Sequence, residues 1–129
     1  FNRWTFRLVS WNPSDQPGQL ERELKRAHIS LIPSDPTDPL KQGISHNRIV
    51  DALRSGCLPI ASPLKSYKEL SKISVLGNNF EHLLFLTTKE YARLISKHSF
   101  YRSKYLAPFS PRNNIQNWTS FWESALENK

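Results

Sequence analysis

The stretch that decides the fold is GISHNRIVDALRSGCLPIA, residues 43–61, where an amphipathic helix pattern runs directly into an apolar run. Apolar side chains repeat at helical steps in its first half, and the residues after Gly56 are almost all apolar. We therefore expect a helix from the good N-cap residue Ser45 to about Gly56, followed by a buried strand over 58–61. Pro59 in that strand predicts an edge position, a strand start or a bulge, because proline cannot donate to the ladder.

The flanking sequence repeats the same alternation of strand and helix patterns. Short runs of β-favouring or apolar residues predict further strands at 5–10, 29–32 and 73–76. Apolar residues at helical steps predict a helix over 20–27, and 66–70 suits one helical turn. Prolines make a helix over 33–39 unfavourable. The chain is therefore predicted to be an α/β protein, with a Rossmann-like parallel sheet of about four strands flanked by helices on both faces.

A helical C-terminal tail is predicted from about 80–129. Apolar residues recur there at three- and four-residue steps, and the last helix is expected over about 114–126. Trp118 and Trp122 lie four residues apart in that helix. Such spacing favours packing in the core or against another domain over stacking on nucleic-acid bases.

Composition narrows the class of protein. With 129 residues, of which 38% are hydrophobic, the chain suits a single globular domain over 1–129. No apolar run reaches the roughly 20 residues that cross a bilayer, so no transmembrane segment is expected. The first residues do not resemble a signal peptide, and the single Cys57 suits a small buried hydrophobe. We therefore expect a cytoplasmic location, and the lack of any Met indicates a part of a larger protein.

The net charge of +7 would suit nucleic acid, anionic lipid or a phosphorylated small molecule. The basic residues are dispersed along the chain and interrupted by acidic ones. No arginine-rich block or known nucleic-acid motif is present. Charge alone does not choose among the three partners, but the missing motif makes nucleic acid the least favoured, and we expect no nucleic-acid partner.

The polar face of the helix at 45–56 is the best candidate for chemistry. It carries Asn47, Arg48, Asp51 and Ser55 opposite the apolar side. The start of a helix presents unpaired N–H groups and a partial positive charge, where a phosphate group binds readily. The alternative is an ordinary solvated face, on which Arg48 and Asp51 form an i, i+3 ion pair.

Other kinds of site find little support in the sequence. His46 has no second ligand at metal-binding spacing, so no metal site is expected. No P-loop, GxGxxG or nucleophile elbow is present, and only four glycines occur in the chain.

Four segments occur in an order that is typical of one enzyme family. They are ISLIP at 29–33, NRIVDALRSG at 47–56, LPIAS at 58–62 and SYKEL at 66–70. Together they resemble the C-terminal domain of GT-B glycosyltransferases of the group 1 type. That domain has a strand ending in Pro, a helix of the form N-K-x-x-E-A-x-A-x-G, a strand of the form P-V-V-A-S and a segment ending in E-L or E-I. The close match covers about a third of the chain.

The resemblance implies roles for five residues. Ser45, His46, Asn47 and Arg48 match the helix start that faces the donor diphosphate, and Asp51 matches the acidic residue that binds the ribose. Metal ions and other cofactors are not implied. No residue of this chain is assigned to catalysis, because the catalytic base of the family comes from the N-terminal, acceptor-binding domain.

Two positions depart from the family pattern. Asp51 is one methylene shorter than the usual Glu, and Gly43 stands where the family has its other Glu, eight positions earlier. The resemblance implies one half of a GT-B fold that binds a nucleotide-diphosphate sugar for transfer to an acceptor and is inactive without the missing domain. The alternative is a non-catalytic binding or interaction module that kept the fold and lost the chemistry, which Gly43 favours.

Overall fold

The computed structural model describes residues 4–9 and 18–127. Three strands form a parallel sheet in the order β1 (Ile29–Ile32), β2 (Leu58–Ala61), β3 (Val75–Leu76). All four residues of β2 are buried. Because alternate residues of a strand point to opposite faces, both faces of this central strand are covered. The parallel α/β sheet is confirmed, with three strands in the described ranges.

The helices surround this sheet in chain order. They are α1 (Gln19–Arg26), α2 (Pro39–Gln42), α3 (Asn47–Arg54), α4 (Phe80–Lys89), α5 (Tyr91–Leu106) and α6 (Pro111–Glu127), with 3-10 helices η1 (Lys65–Leu70) and η2 (Ala107–Phe109). Helices α3, α4 and α5 all contact β2, and α3 also packs against α1 and α5. The predicted helical tail is confirmed over 80–127 as α4, α5 and α6, and its last two residues lie outside the described ones. No described helix has the length and apolar character needed to cross a bilayer.

The strand predicted at 5–10 is wrong for residues 5–9, which form no strand. Ser10 lies outside the described residues. Phe6 and Leu8 are 75% and 93% exposed. β-favouring side chains stabilise a strand mainly by packing on a half-buried pleated surface, and this segment has no such surface.

Pro59 lies in the central strand, at its second residue. The N–H of Leu58 donates to His28 O and the N–H of Ser62 donates to Ile32 O, so even-numbered residues of β2 point their N–H groups at β1. The nitrogen of Pro59 therefore faces the β3 side, where pairing begins only at Ile60 with Val75. The proline removes no ladder hydrogen bond, which explains how an edge-type residue occupies a central strand.

Helix α3 ends two residues before Gly56, which has a φ of 87°. The N–H of Gly56 donates to Leu53 O and the N–H of Cys57 donates to Ala52 O, the two hydrogen bonds of a Schellman motif. Glycine adopts this left-handed conformation without steric cost. The sharp stop turns the chain directly into β2.

The core lies between α3, the sheet and η1. Its fully buried members include Ile49, Leu53, Ile60, Leu64 and Tyr67. Cys57 is also buried there, with its thiol directed at the carbonyl oxygens of Leu24 and Ala27 at 2.8 and 3.3 Å. Burial raises the pKa of the Cys57 thiol to about 11, so it is a structural residue, as its sequence context predicts.

Helix α6 packs in a different way from the other helices. None of its residues 111–127 is buried. Trp118 and Trp122 are 62% and 58% exposed. The core-packing alternative for these tryptophans is wrong within this chain, because both side chains are mostly exposed and α6 packs mainly on η2. Packing against another domain stays a prediction.

Candidate functional site

The candidate site lies at the carboxyl edge of the sheet, where the segments that follow β1 and β2 meet. The N–H of Ser62 donates to Ile32 O at 3.2 Å, and the N–H of Ser34 donates to Ser62 Oγ at 2.8 Å. Ser62 is 2% exposed. The two loops are thus held together at the edge where open α/β sheets bind their ligands.

Helix α2 ties the first loop to the second. Asp38 Oδ1 accepts from the N–H of Leu40 at 2.9 Å and caps this short helix. The side chain of Gln42 donates to Pro36 O and accepts from the N–H of Lys65 at 3.3 Å. These contacts fix the approach of the chain to the start of α3.

The N-terminus of α3 opens at this edge. The helix begins at Asn47, two residues after the predicted N-cap Ser45, and His46 is the capping position without a side-chain cap bond. Ser45 Oγ instead accepts from the N–H of Asn47 at 3.2 Å. Within residues 4–9 and 18–127, nothing accepts from the N–H groups of Arg48 and Ile49. Ile49 is fully buried, so of these two donors a ligand can reach the N–H of the exposed Arg48.

His46 is held by two neighbours. Its Nε2 lies 3.0 Å from Glu69 Oε1 of η1. Its ring packs edge-on against Phe109 of η2, with the ring centroids 4.8 Å apart. The side chain is about one-third exposed, at 34%. His46 is thus fixed in place at the helix start, and a carboxylate is fixed beside it.

Arg48 and Asp51 are both exposed on α3. In the described ranges they form no ion pair with each other, so the i, i+3 pair of the alternative interpretation, a solvated face, is absent. Arg48 lies close enough to Tyr67 for its positive charge to oppose the effect of burial, which raises the pKa of the Tyr67 hydroxyl. A cation and a carboxylate therefore stand one turn apart on the same helix face, each open to solvent.

The structure places Ser45, His46, Asn47 and Arg48 within one turn of each other. Sequence reasoning missed two neighbours of this group, Glu69 and Phe109. Glu69 had a usable signal, since it follows β2 and must lie near the carboxyl edge. Phe109 had none, because it reaches the site from the tail, some sixty residues away in the sequence.

The described residues contain no group of three or more His, Cys, Asp or Glu side chains that could hold a metal ion. The groups open to a ligand at this edge are instead a guanidinium, a carboxylate, an amide and the backbone N–H of Arg48. Such a set suits an anionic, hydroxyl-bearing ligand.

No model of a known protein family matches the chain, and comparisons with characterised proteins and with solved structures likewise give no match. The candidate site therefore stands on its own geometry and chemistry.

Proposed function

We propose that this chain is the donor-binding part of a GT-B type glycosyltransferase that transfers a sugar from a nucleotide-diphosphate sugar. One observation carries the proposal. The exposed side chain of Arg48, which has no ion-pair partner among the described residues, and its own unfilled N–H group lie together at the start of α3, at the carboxyl edge of a parallel sheet.

We assign the diphosphate to the start of α3, on the basis of its charge and its free hydrogen-bond donors. A helix N-terminus carries a partial positive charge, and the N–H group of the exposed Arg48 is available to donate to the ligand. The guanidinium of Arg48 can donate two parallel hydrogen bonds to two phosphate oxygens. The same groups stabilise the charge that develops on the leaving diphosphate during transfer.

Asp51 is assigned to the ribose of the donor. It lies about 6 Å further along the axis than Asn47, at 1.5 Å per residue. Its carboxylate is exposed and accepts hydrogen bonds from hydroxyl groups. A nucleoside diphosphate therefore spans the polar face of α3, with the phosphates at the helix start and the ribose one turn on.

Glu69 confines the diphosphate to the Arg48 side of the helix start. Its carboxylate lies 3.0 Å from His46 and repels phosphate oxygens there. The pair of His46 and Glu69 is better suited to the hydroxyl groups of a sugar, which both donate and accept. Gly43 has no carboxylate, so Glu69 is the acidic group we assign to the sugar.

The partner in this proposal is an acceptor-binding domain, and transfer requires the cleft between the two domains. The chain alone therefore binds the donor and transfers nothing. A cytoplasmic location belongs to the same proposal, since nucleotide sugars and a free buried thiol are both compatible with it.

A non-catalytic binding module is the second candidate. It is favoured by the contact between His46 and Glu69, which occupies part of the helix start with the protein's own carboxylate. It is also favoured by Gly43, because the family has a glutamate at this position and the glycine has no carboxylate. In that case the carboxyl edge binds no nucleoside diphosphate.

Calorimetric titration with uridine, guanosine and adenosine diphosphates and with pyrophosphate decides between the two. We expect Arg48→Ala to weaken nucleoside diphosphate binding by roughly 1.5–3 kcal/mol, the range for a hydrogen bond to a charged group. Asp51→Asn should weaken the binding of nucleoside diphosphates and leave the binding of pyrophosphate unchanged, because pyrophosphate has no ribose. Arg26→Ala, an exposed arginine of α1, is the matched control.

The outcomes separate cleanly. Equal binding by the wild type and by the Arg48 and Asp51 variants would place the nucleotide elsewhere. No binding of any nucleoside diphosphate by the wild type would make the non-catalytic module the better description.

A further inference from the structure

An open pocket of about 340 Å³ lies away from the start of α3, between the C-terminal end of that helix and the junction of α5 with α6. Its polar lining consists of two guanidinium groups and two hydroxyl groups, from Arg54, Arg102, Ser103 and Ser110. Among the residues that the structure describes, no carboxylate lines it. The pocket therefore combines concentrated positive charge with hydroxyl donors, and its described lining has no carboxylate that would repel an anion.

Arg102 is the less exposed of the two arginines. Its Nη1 lies only 3.4 Å from the point that a Cβ on Gly56 would occupy, so the guanidinium is held against the turn that ends α3. Among the described residues, none accepts a hydrogen bond from Arg102 or forms an ion pair with it. A partly buried guanidinium without an acceptor has lost hydration and gained no partner, and an anion in the pocket would supply one.

Arg54 approaches the pocket from the last turn of α3. It donates to the carbonyl oxygen of Phe109, and this contact orients the guanidinium towards the junction of η2 and α6. No described carboxylate pairs with it. A guanidinium group has five N–H donors, so the hydrogen bond to Phe109 O leaves other donors of Arg54 for a ligand.

The sequence around Arg102 adds to the positive charge. From Tyr91 to Trp122 the chain has five Lys or Arg residues and no Asp or Glu. Ser110 Oγ accepts from the N–H of Asn113 at 3.2 Å, which leaves the hydroxyl proton of Ser110 free to donate.

We propose that this pocket binds a phosphate group, held by Arg54 and Arg102 and by the hydroxyls of Ser103 and Ser110. Two forked guanidinium groups match the several oxygens of a tetrahedral phosphate, and hydroxyl donors complete the set. The volume exceeds that of the ion itself and admits part of the molecule that carries the phosphate, next to the apolar side chains of Leu106 and Pro111.

This site is distinct from the proposed donor site and does not depend on it. Arg54 lies about 9 Å further along α3 than Arg48, at 1.5 Å per residue. The phosphate can belong to a small soluble molecule or to a lipid headgroup. A headgroup is compatible with the exposed Trp118 of α6, the helix that begins at Pro111 on the pocket wall.

The test titrates the full chain with inorganic phosphate and with glycerol 3-phosphate, followed by amide NMR shifts. A parallel arm measures co-flotation with phosphatidylcholine vesicles, with and without phosphatidic acid. We expect shifts at Arg102, Ser103 and Ser110, and binding weakened about tenfold or more by Arg102→Gln and by Arg54→Gln. Arg26→Gln, the matched control on α1, should bind like the wild type.

Binding of the soluble phosphates alone identifies a small-molecule ligand, whereas flotation that requires phosphatidic acid and Arg102 identifies a lipid headgroup. The proposal is overturned if the wild type binds neither, if both pocket variants bind as well as the wild type, or if the shifts map to Asn47 and Arg48 and vanish in Arg48→Ala. Wild-type shift mapping and the exposed Arg54 variant give a result even if Arg102→Gln fails to fold.

Discussion

His46 Nε2 lies 3.0 Å from Glu69 Oε1, and this contact joins the residue before α3 to the 3-10 helix that follows β2. The two connections at the carboxyl edge of the sheet are therefore linked by their side chains as well as through Ser62. The carboxylate of Glu69 also places a negative charge at a helix end that otherwise favours anions. A phosphate bound there is attracted by the helix N-terminus and repelled by the carboxylate of Glu69.

Removing that negative charge should strengthen diphosphate binding. We expect Glu69→Gln to bind a nucleoside diphosphate about two- to fivefold more tightly, since exposed charges interact by up to about 1 kcal/mol. Titration calorimetry at low ionic strength measures the change, and added salt should reduce it. Glu81→Gln, an exposed acid on α4, is the control. Weaker binding by Glu69→Gln would mean that Glu69 itself contacts the ligand favourably.

Gly56 gives a test of the turn that sets the direction of β2. Its φ of 87° costs an L-residue roughly 1–2 kcal/mol, so Gly56→Ala should lower the free energy of unfolding by about that amount. Gly43→Ala is the matched control, because Gly43 has a φ of −91° and no atom within 4 Å of the added Cβ. Urea denaturation compares the two variants. Equal stability of both would show that the turn relaxes to another conformation.

The sequence predicted the centre of this fold better than its edges, for physical reasons. The helix over α3 and the strand after it are set by local signals, namely apolar periodicity and a terminal glycine. The strand expected at 5–10 depended on a neighbouring strand, which residues 5–9 do not have. Pro59 suggested an edge position, but β2 is the central strand. Its nitrogen, which has no proton to donate, faces β3 at a position where the two strands are not yet paired.

The sequence predicted those residues of the candidate site that lie on α3, and it did not predict those that other elements supply. Arg48 and Asp51 stand exposed on α3 because a helix fixes which of its own residues share a face. Glu69 and Phe109 come from other elements, and their contacts with His46 depend on how η1 and η2 pack. Tertiary contacts of this kind leave no periodic pattern in a single sequence.

Helix α6 should contribute little to the stability of this chain. Because Trp118 and Trp122 are mostly exposed, replacing both by Gln should change the free energy of unfolding by no more than about 1 kcal/mol, about 0.5 kcal/mol for each. Leu53→Ala, at a fully buried position of α3, should cost about 2–5 kcal/mol in the same urea experiment. A large loss of stability in the tryptophan variant would show that α6 packs against the rest of the chain in solution.

His98 of α5 should make the fold sensitive to mild acid. It is 1% exposed, and neither ring nitrogen has a hydrogen-bond partner among the described residues. Burial lowers the pKa of His98 below its ordinary value of 6.5, and the positive charge of Arg102 lowers it further. In the folded chain His98 therefore binds a proton only at a lower pH than in the unfolded chain, where it does so near its ordinary pKa.

The sign of the effect follows from proton binding. Below about pH 6.5 the unfolded state binds more protons than the folded state, so the free energy of unfolding falls as the pH falls, and no such loss occurs above that value. The slope reaches at most about 1.4 kcal/mol per pH unit, until the pH passes the lowered pKa of the folded state. Urea denaturation between pH 5 and 8 measures this slope.

Replacing His98 by Leu should flatten the slope and leave the fold at least as stable at pH 7.5. The apolar side chain removes two buried nitrogens that have no partner. His82→Gln is the matched control, since His82 is exposed on α4 and its replacement leaves the core intact. If His98→Leu keeps the wild-type slope while His82→Gln loses it, the acid sensitivity arises at the surface and His98 titrates freely.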